Sequence, residues 1–183
     1  MSIFTNSISA AKDEADAYIN AVLKLLDDKE PLTVLGELIP KLKKLANELS
    51  DKQLSRREAP EKWSILEVIH HLADSELVWA YRLRMVVAEK QPQITGYDQD
   101  RWASQLKYHK ANLEDVLELL GILRKTNLRL INSLSDEELQ RAGVHSERGE
   151  ETIRHMIRLY AGHDLVHLNQ IARIRKSWVS SQT

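Results

Sequence analysis

Leucine, isoleucine and valine recur along this chain at three- and four-residue intervals, the spacing that gathers them on one side of an α-helix. Five helical stretches follow from that pattern. The first covers about Ile8 to Asp28, with Ile19, Val22, Leu23 and Leu26 on one side, and Glu30-Pro31 is expected to stop it. A second runs to about Leu49 on Leu35, Leu38, Leu42, Leu45 and Leu49, where Pro40 predicts a kink or a late start. The third opens at Trp63-Ser64-Ile65-Leu66-Glu67, in which Ser64 and Glu67 have capping-box spacing. It reaches about Glu89, ahead of Pro92. The fourth spans about Leu113 to Leu134, and the fifth about Thr152 to Trp178. No alternating run of β-branched residues appears, so the expected class is all-α.

The connections refine this picture. About Lys90 to Asn112 is long for a link between helices, and a hairpin would need only a few residues. That length predicts a crossover spanning the bundle, with the third and fourth helices parallel. Gly96-Tyr97-Asp98 and Trp102 lie within it and could close one end. A short echo, Leu45-x3-Leu49-Ser50-Asp51-x2-Leu54 and Leu130-x3-Leu134-Ser135-Asp136-x2-Leu139, is explained by shared helix-start grammar.

The fifth stretch breaks its own pattern. Its apolar stripe reads Met156, Tyr160, His163, His167, Ile171 and Ile174, with two imidazoles where leucines would serve a core. Residues four apart are displaced by roughly 6 Å along a helix and 40° around it. Both rings can therefore reach one ion at about 2.0–2.1 Å. The chain has no cysteine, so metal ligands must be His, Asp or Glu, and any thiol chemistry needs a thiol from outside. A third ligand is offered by the His70-His71 pair. His71 shares a face with Val68, Leu72, Ser75 and Val78, and His70 with Glu67 and Asp74, so His71 is the better candidate. Spacing alone leaves packed, hydrogen-bonded core histidines as an equal alternative.

Other side chains have two readings each. Glu76 falls on the stripe Ile65, Ile69, Leu72, Glu76, Trp79 and Leu83, where it would orient a ligand or act on bound water, or else pair with an arginine across the bundle. Tyr160 would place its hydroxyl in a pocket or simply pack. Asp74 and Asp164 would support ligands or make exposed ion pairs. His109, His145 and His155 lie in polar surroundings and are expected in solvent.

At 183 residues the chain suits one domain, and a net charge of −1 with interspersed signs excludes an electrostatic footprint for nucleic acid. Lys12, Asp13 and Glu14 interrupt the N-terminal region before an apolar run can form. No membrane span or signal peptide is therefore expected, and a cytoplasmic location is the default.

Three elements together resemble the DinB/YfiT-like superfamily of four-helix-bundle metalloproteins. They are Trp63-Ser64-x2-Glu67-Val68-x2-His71-Leu72-x-Asp74-x-Glu76, then Gly96-Tyr97-Asp98 with Trp102, then His163-Asp164-x2-His167 with Gln170 and Ile171. The resemblance covers about residues 31 to 178. It implies a four-helix bundle over 31–183, with a long crossover between the bundle's second and third helices, and an additional N-terminal helix within 1–30. It also implies one divalent metal ion, zinc or nickel first and iron next, held by His71, His163 and His167. Glu76 and Tyr160 become the candidates for catalytic roles. Relatives of this kind are described as metal-dependent hydrolases or as transferases using low-molecular-weight thiols. The expected activity is a thiol-dependent S-transferase acting on a small-molecule substrate, with a metal-dependent hydrolase or a non-catalytic dimerising bundle as alternatives. A homodimer is implied by analogy.

Overall fold

The computed structural model describes residues 8–180. Five long helices carry it: α1 (Ile8–Leu26), α2 (Pro31–Asn47), α4 (Ile65–Ala88), α6 (Leu113–Asn132) and α7 (Ile153–Ser180). Two short ones, α3 (Asp51–Leu54) and α5 (Gln99–Gln105), sit in the connections. Among the described residues no helix is long and apolar enough to cross a membrane.

Local chemistry sets the helix ends. α1 stops at Leu26 because Asp27 turns left-handed at φ 52°, four residues before Pro31. Pro31 instead opens α2, and the Glu30 carboxylate accepts the Thr33 amide at 2.7 Å. Pro40 neither delays nor interrupts α2. It lies on the exposed side, where water can reach the Gly36 carbonyl that it leaves without a donor. At the head of α4 the capping box forms as expected: the Glu67 amide donates to Ser64 Oγ at 3.3 Å and the Ser64 amide to Glu67 Oε2 at 2.8 Å. The echoed serines do similar work. Ser50 and Ser135 each donate an amide hydrogen to the side chain three residues on, Gln53 and Glu138.

The bundle consists of α2, α4, α6 and α7. Val68, Ile69 and Leu72 of α4 pack in one apolar cluster with Val116, Leu117 and Leu120 of α6, while Val86 and Ile131 share a second. Contacts advance in step along both helices, so α4 and α6 run parallel, as the long crossover predicts. α7 runs the other way, with Ile153 and Met156 in the second cluster and Ile171 and Ile174 in the first. α2 follows α7 in direction.

The all-α expectation describes the frame and misses a small sheet. Strands β2 (Ala142–His145) and β3 (Gly149–Thr152) form a hairpin before α7, and β1 (Gln93–Ile94) adds to it in parallel. A four-residue strand reading Gly-Glu-Glu-Thr carries almost no β-propensity, so only pairing reveals it. The crossover contributes β1, α5 and a 3-10 turn at Tyr108–Lys110. Tyr108 is fully buried against α4, where its hydroxyl donates to Asp74.

One arginine joins the bundle helices. Arg124 of α6, 3% exposed, reaches Glu76 of α4 at 2.8 Å, Asp164 of α7 at 2.6 Å and the Leu35 carbonyl of α2 at 2.8 Å. Asn127 completes the group by donating to Glu76 Oε1 at 2.7 Å. Outside the bundle, α1 rests on α7 at Gly162, where a Cβ would lie 2.4 Å from Val22 Cγ1 and 2.6 Å from its carbonyl oxygen. Two changes test these joints by urea denaturation. Arg124→Met strands two buried carboxylates and is expected to cost about 3–5 kcal/mol. Gly162→Ala is expected to cost about 1–3 kcal/mol through overpacking against α1, and an unchanged midpoint would mean that α1 is free to shift.

Candidate metal centre

The face of α4 that carries Val68 and Leu72 into the core also carries His71, and α7 brings His163 and His167 to meet it. The three Nε2 atoms converge. His163 Nε2 lies 3.2 Å from that of His71 and 3.1 Å from that of His167. Nitrogens placed tetrahedrally about an ion at about 2.05 Å are separated by roughly 3.3 Å, so this spacing fits a shared cation. Among the described residues this is the one group of three His, Cys, Asp or Glu side chains able to hold a metal.

Protonation agrees with that reading. His167 Nδ1 lies 2.8 Å from Gln170 Oε1, so Nδ1–H donates and Nε2 keeps its lone pair for a metal. Burial lowers His167 to about 4, partly opposed by the Gln170 hydrogen bond. His71 and His163 fall well below their ordinary value, through burial first and then through neighbouring charges. All three rings are therefore neutral at pH 7, as ligands must be. Among the described residues the buried His71 Nδ1 has no partner, and its ring lies 4.9 Å from that of Trp63.

Around the histidines the candidate residues divide. Ser75 Oγ lies 3.3 Å from His71 Nε2 and 2.8 Å from the hydroxyl of Tyr97, which the crossover delivers. Burial raises Tyr97, so that hydroxyl stays protonated at neutral pH. Tyr160 borders a cavity that His71, His163, Ser75 and Tyr97 also line, stacks on Trp79 at 4.3 Å and donates its hydroxyl to the Ser75 carbonyl at 3.0 Å. The structure does not bring the Glu76 carboxylate to the three imidazoles. Both its oxygens belong to the Arg124 and Asn127 group, the arginine-paired alternative weighed from sequence. Asp164, adjacent to His163, is buried in that group too, not at an exposed ion pair.

His145 corrects another expectation. It is 2% exposed, not solvated, because β2 buries alternate residues and turns Gly143 and His145 inward. His155 is half-buried and His109 is exposed. Ser75 and Tyr97 were not singled out as functional from sequence. The place of Ser75, one turn after His71 on the ligand face, was the available signal, whereas nothing local marks Tyr97 as its partner.

The model of the DinB superfamily matches residues 35–171. A protein of Oceanobacillus iheyensis, named "putative metal-dependent hydrolase", is 34% identical over 139 residues, covering 75% of this chain and 80% of its own length. A Bacillus cereus protein with the same description is 32% identical over 142 residues, covering 78% and 82%. Among solved structures, YfiT from Bacillus subtilis superposes with a TM-score of 0.70 at 26% identity, over 88% of this chain and 87% of its own. Its structure is described as "a probable metal-dependent hydrolase with an unusual four-helix bundle topology".

Two measurements follow. Gln170→Leu removes the hydrogen bond that fixes the His167 tautomer and is expected to weaken metal binding about 10–100-fold in a competition titration. In metal-free protein, His167 takes its proton near pH 4 when folded and near 6.5 when unfolded. The unfolded chain thus binds more protons between those values, so stability present above pH 6.5 is lost as pH falls toward 4. The slope is about 1.4 kcal/mol per pH unit for each such imidazole. Asp164 has the opposite sign: burial raises it to about 6 from 3.8, which favours the folded state at the lower end of that interval. It offsets one ring, while His71, His163 and His145 act with His167. Urea midpoints are expected to fall between pH 6.5 and 4.5, and a flat profile would contradict buried neutral rings.

Proposed function

The chain belongs to the DinB superfamily, and on that premise we propose that it is a metal-dependent enzyme that joins a low-molecular-weight thiol to a small electrophilic substrate. The observation that carries this reading is the convergence of three Nε2 atoms from two helices, on rings that are neutral at pH 7. A divalent cation held by three neutral imidazoles keeps its double charge and an open position, and supplies a Lewis acid that lowers the pKa of a thiol or of water. Zinc, nickel and iron(II) all suit such a donor set.

The chain's own residues have separate tasks. His71, His163 and His167 bind the ion, and Gln170 orients the last of them. The Ser75 and Tyr97 hydroxyls place a hydrogen-bonding pair beside His71, where a polar group of the substrate can be held. Tyr160 acts as a positioning residue, with its ring against Trp79 and its proton committed to the Ser75 carbonyl. Glu76 acts likewise, by fixing α4 through Arg124.

The commitment of Glu76 favours thiol over water as nucleophile. Its carboxylate, the expected base for water, is spent on Arg124 and Asn127. A thiol with an ordinary pKa of about 8.5 needs far less help to ionise than water at about 15.7. The sulfur attacks the electrophilic carbon, the S–C bond forms, the leaving group departs with its bonding pair, and the thiol proton passes to solvent. Hydrolysis is the second reading, and the names of the relatives favour it.

The test uses protein loaded with Zn²⁺ or Ni²⁺, assayed with cysteine and 1-chloro-2,4-dinitrobenzene and, separately, with p-nitrophenyl acetate. Thioether formation at least 100-fold above the His163→Ala control is expected. Ester hydrolysis alone would shift the assignment to a hydrolase, and turnover of neither above control would remove the enzymatic reading. Chelation is expected to abolish activity and leave helical circular dichroism largely intact, because the two apolar clusters hold the bundle without the ion. Global unfolding on chelation would make the site structural.

A further inference from the structure

The cavity that reaches His71 and His163 extends to a second polar group, which the reaction above does not use. Arg82 of α4 borders it and is 8% exposed. Among the described residues its guanidinium forms no ion pair, and its one hydrogen bond goes to the Thr95 carbonyl. A buried guanidinium lacking a counter-ion is costly unless something else supplies the charge.

His145 borders the same cavity from β2. Its Nδ1 accepts the Glu147 amide at 3.2 Å, so the neutral ring carries its hydrogen on Nε2. Among the described residues that buried Nε2 has no partner. Burial, reinforced by the charges of Arg148 and Arg82, lowers the ring to about 3, so it is a neutral donor at pH 7. Two buried groups with donors to spare, one of them cationic, thus border one space.

We propose that Arg82 and the Nε2–H of His145 hold a carboxylate of the substrate, at the far end of the cavity from the metal-binding imidazoles. Only the assignment of which end reacts rests on the function proposed above. His71 and Arg82 are eleven residues apart on α4, roughly 16 Å of helix rise, and an arginine on a helix leans back toward the N-terminus and shortens that gap. A small molecule with its reactive centre several bonds from its carboxylate spans what remains. The surrounding charge favours a single negative group over a phosphate dianion. Arg148 is paired with Glu151, so Arg82 is the bordering cation without a direct ion pair among the described residues, and Glu147 at the same cavity disfavours a second negative charge.

The experiment separates this site from the metal. Full-length protein with ¹⁵N-labelled histidine is titrated with butyrate and with its neutral isostere butyramide, first after chelator treatment and then loaded with Zn²⁺. Butyrate is expected to shift the His145 Nε2–H resonance in both forms, and butyramide to leave it unmoved. Affinity for butyrate should fall at least tenfold in Arg82→Gln, recover partly in Arg82→Lys, and exceed that for inorganic phosphate. Equal binding of butyrate and butyramide to the wild type overturns the proposal without recourse to any variant. So does undiminished binding by Arg82→Gln, which would leave Arg82 as a clamp on Thr95. Butyrate binding seen only with Zn²⁺ would place the carboxylate on the metal, ending this inference while sparing the metal site. Failure to bind metal, with butyrate binding as expected, would do the reverse.

Discussion

A single buried guanidinium sets the rotational phase of the bundle. Arg124 projects from α6 and meets a carboxylate on α4, another on α7 and a backbone carbonyl on α2. Apolar side chains slide past one another with little directional preference, whereas a planar fork bonded to two carboxylates does not. Glu76 follows Ser75 in sequence, and Asp164 follows His163. Pinning the two carboxylates to Arg124 therefore fixes the turn of each helix on which a candidate ligand sits. Burial, partly opposed by Arg124, raises the Asp164 carboxyl to about 6, and the nearby Glu76 adds to that rise.

That coupling explains what was legible beforehand. The five long helices and the ligand face of α4 and α7 followed from 3.6-residue periodicity, because burial of one stripe governs a helix wherever it packs, and the parallel pair followed from the length of the crossover. His71 was distinguished from His70 by its neighbours alone, and the structure sends it to the other two imidazoles. Glu76 stood in the correct stripe, but a stripe does not say which neighbour reaches it first. Arg124 lies 48 residues away, and its claim on that carboxylate is a tertiary fact. The sheet escaped notice for the same reason. Its strands are two to four residues long, β3 reads Gly-Glu-Glu-Thr, and β1 pairs with a strand some 50 residues further along the chain.

The histidine group and the arginine group lie side by side and obey opposite rules. One gathers three neutral imidazoles whose Nε2 atoms converge, and in His167 the Gln170 hydrogen bond leaves the Nε2 lone pair without a hydrogen. The other gathers opposite charges and satisfies nearly every oxygen and nitrogen with a partner. Protons act on both: the imidazoles resist charging, while Asp164 resists losing its proton. The stable frame comes from the satisfied group and the apolar clusters, which leaves the unsatisfied one available for chemistry.

Gly162 gives α1 a place in this arrangement that its position outside the bundle would not suggest. Because the glycine lets the two backbones nearly touch at Val22, Tyr18 and Ile19 are carried one turn further to the rim of the cavity. α1 precedes the stretch matched by the superfamily model, which begins at residue 35. Part of the cavity's wall and the three imidazoles are thereby carried by separable parts of the polypeptide. Substitutions in that helix can reshape the doorway and leave the imidazole group behind it as it was.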